Sequence, residues 1–597
     1  MKSLSMSLLL VALLALPEQT SAQLLPDQRI FDFQNLAALY AKRYAPYEWK
    51  RRALGFDLFD IQPWLDRVRA AKSDLEFFEI EAEYVGNLND THAGFSMTSS
   101  FRANLGITVD IYGGKVLIDS INRTILPLAH YPFQIGDELI SVDSISVEDW
   151  INRISLWRRY GNPVSTRRIA AAQIAFRNQA TFPRAVEIGD SAAIKIRRAN
   201  GNVEDYTILW RKTGIPVFSV GPVPSPKTLT TLSASLQSTR QPDYLEALEE
   251  LHQYKLPEND VILTRIPWAT DENSVARTYV NGVGALVPVF RGGFPTNFIQ
   301  RLGRLPTEFH YSGTYLADGL TLGYLRFPSF SPANLSEAVR ELRDEIQYLQ
   351  NNTDGLVIDV TRNPGGGCYM LDAAAALIPY PFYFFGEEIR VTQDRLNALQ
   401  AQLELAQSTG AEQWVIETYQ SYVDQLKAAL AANRGMTAPI AACRQFGSTG
   451  APVMNGNLPA PVPYTKPIIV LIDEFSISAA DIFPSMLQDN ERVLLVGMRS
   501  SGGGGSVSSW PTGFYSESIS NNTNTLVVRK NPIATPEYPT APYVENIGAR
   551  PDIPLDFMTR ENLLTGGRIY VDQFTQILVD QIRAIQVSQA QTRAVAR

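Results

Sequence analysis

Three short hydrophobic runs in the second half of the chain, residues 356–360, 468–472 and 493–496, each stop abruptly at turn-forming residues. A strand with one wet face alternates polar and apolar residues. A continuous run such as IIVLI at 468–472 has no wet face, so it belongs in a sheet covered on both sides. The intervening sequence supplies the cover. Residues 323–327 read as a further strand, and Ser331-Pro332 after it is a favoured N-cap with proline at the first helical position. Val339, Leu342, Ile346 and Leu349 then step along one helical face. Strands alternating with helices predict an α/β fold with a mainly parallel sheet over residues 311–570. Two polar helical stretches, 394–407 and 413–431, meet at Ser408-Thr409-Gly410 and read as a helical hairpin inserted at 392–433.

Other parts of the chain follow different patterns. Residues 23–100 are helical, with stretches at 36–44 and 74–85. Residues 101–213 switch to short strands and turns, at 106–111, 114–118 and 136–142. Residues 214–310 are poorly patterned, with a proline- and valine-rich linker at 216–226 and one helix expected over 242–254. The tail, 571–597, places Phe574, Ile577, Leu578, Ile582 and Ile585 on one helical face. That face is expected to pack on the core, with a homodimer contact as the alternative. The first 22 residues carry Lys2, an apolar run at 6–16 and the small residues Thr20-Ser21-Ala22, the pattern of a secretory signal. Export to the extracellular space is therefore expected. No later stretch has the ~18 uninterrupted apolar residues of a membrane span.

Composition removes several classes of function. The 597 residues carry 53 basic and 61 acidic side chains, 53 − 61 = −8, with no Lys/Arg tract, so no nucleic-acid partner is expected. Two cysteines are too few for a cysteine zinc site or a disulfide scaffold. Cys368 and Cys443 either pair in an oxidising compartment or remain buried thiols; spacing does not decide. The four histidines are His92, His130, His252 and His310, and none has metal-ligand spacing, so neither a metal nor another cofactor is expected. Sequons for N-glycosylation occur at Asn89, Asn122, Asn334, Asn351 and Asn521.

Two elements suggest chemistry. The run 468–472 passes through Asp473-Glu474-Phe475-Ser476-Ile477 to Ser478, where a helix begins. A serine there shows its hydroxyl at the C-terminal edge of the sheet, beside the free N–H groups of the helix, which suits nucleophilic catalysis. An N-cap serine also serves as a plain cap. The second element is Asn363-Pro364-Gly365-Gly366-Gly367, a strand end at which backbone N–H groups can approach a ligand. A phosphate loop would need Lys-[ST] after its glycines; Cys368-Tyr369 follows instead.

Taken together, GLVIDVTRNPGGG (355–367) and KPIIVLIDEFSISAADIF (466–483) resemble the C-terminal processing, or tail-specific, peptidase family of serine proteases. The resemblance implies a ClpP/crotonase-like core and a PDZ-like module over 101–213. It assigns Ser478 as nucleophile, with Ala479 and one of Gly365 and Gly366 as oxyanion-hole donors. The bacterial tail-specific branch activates its serine with a lysine, and here glycine stands in that place within residues 501–505. A serine without a base is a poor nucleophile. The stretches around His92 (NDTHAGF) and Glu545 (YVENIGARPD) instead resemble the histidine-using branch, which includes tricorn and chlamydial protease-like activity factor. The resemblance thus implies His92 as general base and Glu545 as its orienting carboxylate, with Glu537 a near competitor. Thr91 is an auxiliary bridge between them, and part of 214–310 is either a linker or an inhibitory segment. His130, His252 and His310 are expected to be structural. The expected activity is that of a secreted serine endopeptidase hydrolysing protein substrates through an acyl-enzyme. The alternatives are a catalytically silent protein binding peptides or apolar ligands, and a small-molecule esterase or amidase.

Overall fold

The computed structural model describes residues 23–220, 254–255 and 280–595. The signal-like segment, His252 and all of the helix expected over 242–254 except its last residue lie outside these. That residue, Tyr254, belongs to the two-residue strand Tyr254–Lys255.

The second half of the chain builds a seven-stranded sheet, in the order Ile299–Leu302, Tyr311–Ala317, Leu320–Arg326, Gly355–Asp359, Ile468–Ile472, Leu494–Gly497, Ile553–Pro554. The first three strands pair antiparallel, and every pairing from Leu320–Arg326 onward is parallel. The hydrophobic runs are explained by cover on both faces. Leu356, Ile358, Ile468, Val470 and Ile472 pack against the helices Leu335–Asn352, Tyr369–Leu377 and Ala479–Asp489. Val357, Ile469 and Leu471 point the other way, onto Phe574, Leu578 and Ile582 of the tail helix Arg568–Val595. The tail therefore packs on the core.

One boundary differs from the sequence reading. The helix begins at Leu335 with Asn334 as its cap, not at Ser331-Pro332. Phe330 is held extended by pairing with the glycine turn: Phe330 N donates to Gly365 O at 2.7 Å and Gly367 N to Phe330 O at 2.9 Å. Long-range pairing outweighs the local capping signal there.

The inserted hairpin consists of Gln393–Ser408 and Gln413–Ala431, with its own buried seam of Leu399, Leu403, Tyr419, Val423 and Leu426. It lies inside the loop closed by a Cys368–Cys443 disulfide, which spans 75 residues. Closing a loop of that length restricts the unfolded chain by about 4 kcal/mol in the chain-entropy model.

The first half contributes four helices, Pro26–Arg43, Tyr47–Leu54, Gln62–Ala70 and Asp74–Gly86, and a β module. The module's sheet runs Ile107–Tyr112, Lys115–Ile121, Glu138–Val142, Ser191–Arg197, Val203–Leu209. Its inserted helix Pro163–Ala175 is buried between module and core. There Arg168 donates to Asp110 Oδ1 at 2.9 Å and to Glu474 Oε1 at 2.9 Å, joining the module to the turn that leads to Ser478. Among the described residues no helix is long and apolar enough to cross a membrane.

Candidate active site

The strand Ile468–Ile472 and the helix Ala479–Asp489 meet at Ser478, whose φ of 62° and ψ of −117° lie outside the ordinary range for a side-chain-bearing residue. Such a backbone costs about 1–3 kcal/mol and persists only where its surroundings hold it. Here Ser476 Oγ donates to Val360 O at 2.8 Å, Ile477 N to Asn363 O at 2.9 Å, and Ser478 N to Asp481 Oδ2 at 2.6 Å. The bond from Ile477 to Asn363 ties the serine turn to the glycine turn.

In that glycine turn, Gly365 and Gly366 have φ values of 96° and 149°. A Cβ on Gly366 would lie 2.1 Å from the Phe330 carbonyl carbon, so only glycine fits. Gly365–Gly366 forms a short strand bridged to Phe330 and paired antiparallel with Tyr254–Lys255. Ala479, the first residue of the helix, is fully buried.

His92 follows the helix Asp74–Gly86 in a turn fixed from two sides. Asp90 Oδ1 accepts from the His92 backbone N–H at 2.8 Å. Arg158 of the β module donates to the carbonyls of Thr91, at 2.9 Å, and Ala93. The ring is fully buried, and neither nitrogen has a hydrogen-bond partner among the described residues. Burial pushes the imidazole down to about 4, aided by the nearby charges of Arg158 and Lys50 and opposed by Asp90. The ring is thus a neutral base at pH 7.

Glu545 is fully buried as well. One carboxylate oxygen pairs with Lys50 Nζ, and the other accepts the Gly504 N–H at 3.1 Å. Burial and the facing Asp90 raise the carboxyl to about 8, against the pull of Lys50 and Gly504. Lys50 Nζ also donates to Asn89 O at 2.9 Å and Asn546 Oδ1 at 2.7 Å, so one buried ammonium binds the histidine turn to the glutamate turn.

The glycine run that stands in the lysine's place brings these groups together. Gly502 N and Gly503 N donate to Asp481 at 2.7 and 3.0 Å. A Cβ on Gly503 would lie 3.1 Å from Thr91 Cβ and 3.2 Å from His92 Cε1. Gly504 N reaches Glu545, and a Cβ there would lie 2.8 Å from the Glu545 nitrogen. Consecutive glycines thus contact the aspartate beneath Ser478, the ring of His92 and the carboxylate of Glu545. A side chain at Gly503 would need the histidine turn to give way by a few tenths of an ångström.

The remaining predicted residues are placed as follows. Glu537 is exposed and pairs with Arg550 at 2.8 Å, away from this cluster. The Thr91 hydroxyl pairs with Ser501 Oγ at 2.8 Å and accepts Gly161 N at 3.1 Å, so it does not bridge His92 and Glu545; the glycine run occupies that space. His310 is structural, bonded through Nδ1 to Glu341 at 2.6 Å and through Nε2 to Tyr369 at 2.8 Å. His130 lies exposed in a turn. Of the sequons, Asn334 and Asn351 are exposed and Asn89 and Asn122 half-buried. Asn521 is buried in the strand Ser518–Thr523, where no glycan fits.

Sequence reasoning overlooked Lys50, Asp90, Arg158 and Asp481. Asp481 had a signal, the S-x-x-D spacing of a capping box. Lys50, in the run Lys50-Arg51-Arg52, reads as a solvated helix face and had none.

Residues 321–555 match the family model described as peptidase family S41, and residues 102–216 match that of a PDZ domain. The chain is 26% identical over 609 residues to a protein of Chlamydia trachomatis, covering 92% of each. It is likewise 26% identical over 588 residues to an uncharacterised protein of Chlamydia muridarum, again covering 92% of each. Among solved structures, mature CPAF superposes with a TM-score of 0.69 at 23% identity, over 93% of this chain and 98% of that one. Mature CPAF complexed with lactacystin gives 0.68 at 23% identity, over 94% and 99%. These likenesses show a shared fold across nearly the whole chain.

Proposed function

We propose, for a chain that belongs to peptidase family S41 and is thereby a serine-type peptidase, that it is a secreted endopeptidase working through Ser478, His92 and Glu545. The observation that carries the assignment is the run Gly502–Gly504, which touches the support of Ser478, the ring of His92 and the carboxylate of Glu545 in consecutive residues. Ser478 Oγ attacks the carbonyl carbon of the scissile peptide, and its proton passes to a ring nitrogen of His92. His92 returns that proton to the leaving amine. Water then repeats the sequence on the acyl-enzyme. Glu545 faces the imidazolium that forms, and Gly365 or Gly366 together with Ala479 donates backbone N–H groups to the oxyanion. The core is of the ClpP/crotonase-like kind.

In the present arrangement the relay is open, because among the described residues the His92 nitrogens are unpaired and Glu545 is held by Lys50 and Gly504. Catalytic hydrogen bonds commonly tighten only when substrate is bound. The strand Tyr254–Lys255, paired to Gly365–Gly366, lies where an extended substrate would be held. We take it as part of an inhibitory segment within 214–310 that is removed on activation. The PDZ domain holds a peptide by strand addition. Export is supported by the pattern of residues 1–22 and by the disulfide, which suits an oxidising compartment.

A serine-directed fluorophosphonate probe tests the assignment. Wild type is expected to be labelled and to cleave casein, with both lost in Ser478→Ala and His92→Ala. Equal labelling of Ser478→Ala would overturn the nucleophile, and no labelling of any folded form would favour a silent binding protein. Two chains from wild type but one from Ser478→Ala would establish self-processing.

A further inference from the structure

Asp481 is the third residue of the helix Ala479–Asp489, a position where an acidic side chain ordinarily satisfies a free N–H group at the helix start. Its carboxylate does more than that. Oδ2 accepts from the Ser478 backbone N–H at 2.6 Å and from the Gly503 N–H at 3.0 Å. Oδ1 accepts from the Gly502 N–H at 2.7 Å and from the Ser500 hydroxyl. All four donors converge on a group with no exposure to solvent, and among the described residues no lysine or arginine pairs with it. Only the Ser478 bond concerns the helix start. The other three reach across to the strand-end segment that follows Leu494–Gly497.

Two features make this placement mechanically important. The backbone of Ser478 is left-handed and therefore strained, and its N–H is fixed by Oδ2. The same oxygen fixes Gly503, whose Cα faces the Thr91–His92 turn closely enough that a Cβ would be 3.2 Å from the imidazole. One carboxylate oxygen thus sets the nucleophile's backbone and the surface against which the base packs. The second oxygen extends the link through Ser500 Oγ, which in turn accepts from Ala549 N at 2.7 Å in the segment following Glu545.

We infer that Asp481 is a positioning residue of the hydrolytic site, a four-donor hub that holds the Ser478 turn in register with the glycine run supporting His92. The inference rests on the peptidase reading above. Asp481 touches no reacting atom; it acts through Ser478 and Gly503. Replacement by asparagine keeps the shape but leaves one acceptor oxygen, and turns an NH2 group toward two donors. The helix and fold persist while the register of serine against imidazole is lost.

The test uses the full chain in its active form, with wild type, Asp481→Asn and Ser500→Ala compared by fluorophosphonate labelling rate and by kcat and KM on a fluorogenic peptide. Asp481→Asn is expected to lower the labelling rate and kcat on the order of 10²-fold, the scale of a small misplacement of reacting groups. KM should stay within about threefold, since binding surfaces are untouched. Ser500→Ala, which removes one donor, is expected to lower kcat about 10-fold. A folded Asp481→Asn labelled at the wild-type rate, or a loss confined to KM, would overturn the inference. If Asp481→Asn does not fold, Ser500→Ala decides: reduced kcat at unchanged KM supports the hub, and wild-type kcat rejects it. Absence of labelling in wild type would overturn the peptidase reading itself, and the inference with it.

Discussion

His92 and His310 are buried to nearly the same degree, one where the amino-terminal helices meet the core and the other beside the edge of the main sheet. His310 has both nitrogens bonded, to Glu341 and Tyr369, and stacks edge-on against Phe327. Among the described residues neither His92 nitrogen is bonded, although its backbone is held by Asp90 and the carbonyls beside it by Arg158. A buried polar atom without a partner costs about 1–3 kcal/mol, so His92 is stabilised in its position and not through its ring. His310 closes its hydrogen bonds within the fold, whereas the His92 ring has none among the described residues, as the proposed role of general base would require.

The comparison is broken most forcefully by activity. His92→Leu should reduce peptide hydrolysis by at least about 10³-fold while leaving the melting temperature equal or higher, since it removes unpaired polar atoms. His310→Leu should keep turnover per folded molecule within about twofold. Similar activity losses in the two variants, measured on folded protein, would remove the distinction.

Acid titration gives a smaller effect. Because the His92 imidazole is pushed down to about 4 from an ordinary 6.5, folding favours its neutral form. That contribution is present above pH 6.5 and is lost as the pH falls toward 4, because the unfolded chain binds the proton first. The loss amounts to about 3 kcal/mol. Asp481 and Glu545, raised to about 7 and about 8, contribute in the opposite sense, gaining stability as the pH falls through those values. The histidine contribution is therefore read as the difference between wild type and His92→Leu in urea unfolding from pH 7 to 4. Parallel curves would exclude it.

The smallest effect is on stability at neutral pH. His310→Leu removes one bond each from the Tyr369 hydroxyl and Glu341 Oε1, which keep Ala338 O and the backbone N–H groups of residues 309 and 310, and should cost about 1 kcal/mol by urea unfolding. No loss would mean that those groups find other partners.

Much of the core was legible in advance because its signals are local. The strand Ile468–Ile472 and the hairpin Gln393–Ser408 and Gln413–Ala431 follow from hydrophobic period and turn residues. The start of the helix Leu335–Asn352 was misplaced because Phe330 answers to the glycine turn beyond that helix. The sharp turn at Ser478 was legible from its strand–turn–helix pattern. Burial, which separates Glu545 in the interior from Glu537 at the surface, was not legible in either stretch. Nor were the partners of the Thr91 hydroxyl, Ser501 and Gly161.

The sequence by itself determined the elements whose causes lie within a few residues: continuous apolar strands, amphipathic helices, and a serine at a sharp turn. Tertiary structure decided the company each group keeps. Lys50 reaches Glu545 across 495 positions, and Asn546 reaches Asn89 across 457. Helical and strand periods carry no information at that separation, because such contacts arise from how whole elements bury their faces against one another. The lysine that reads as a solvated charge became, on packing, a buried donor to Glu545 and Asn546, and the glycine run became the surface packed against the imidazole.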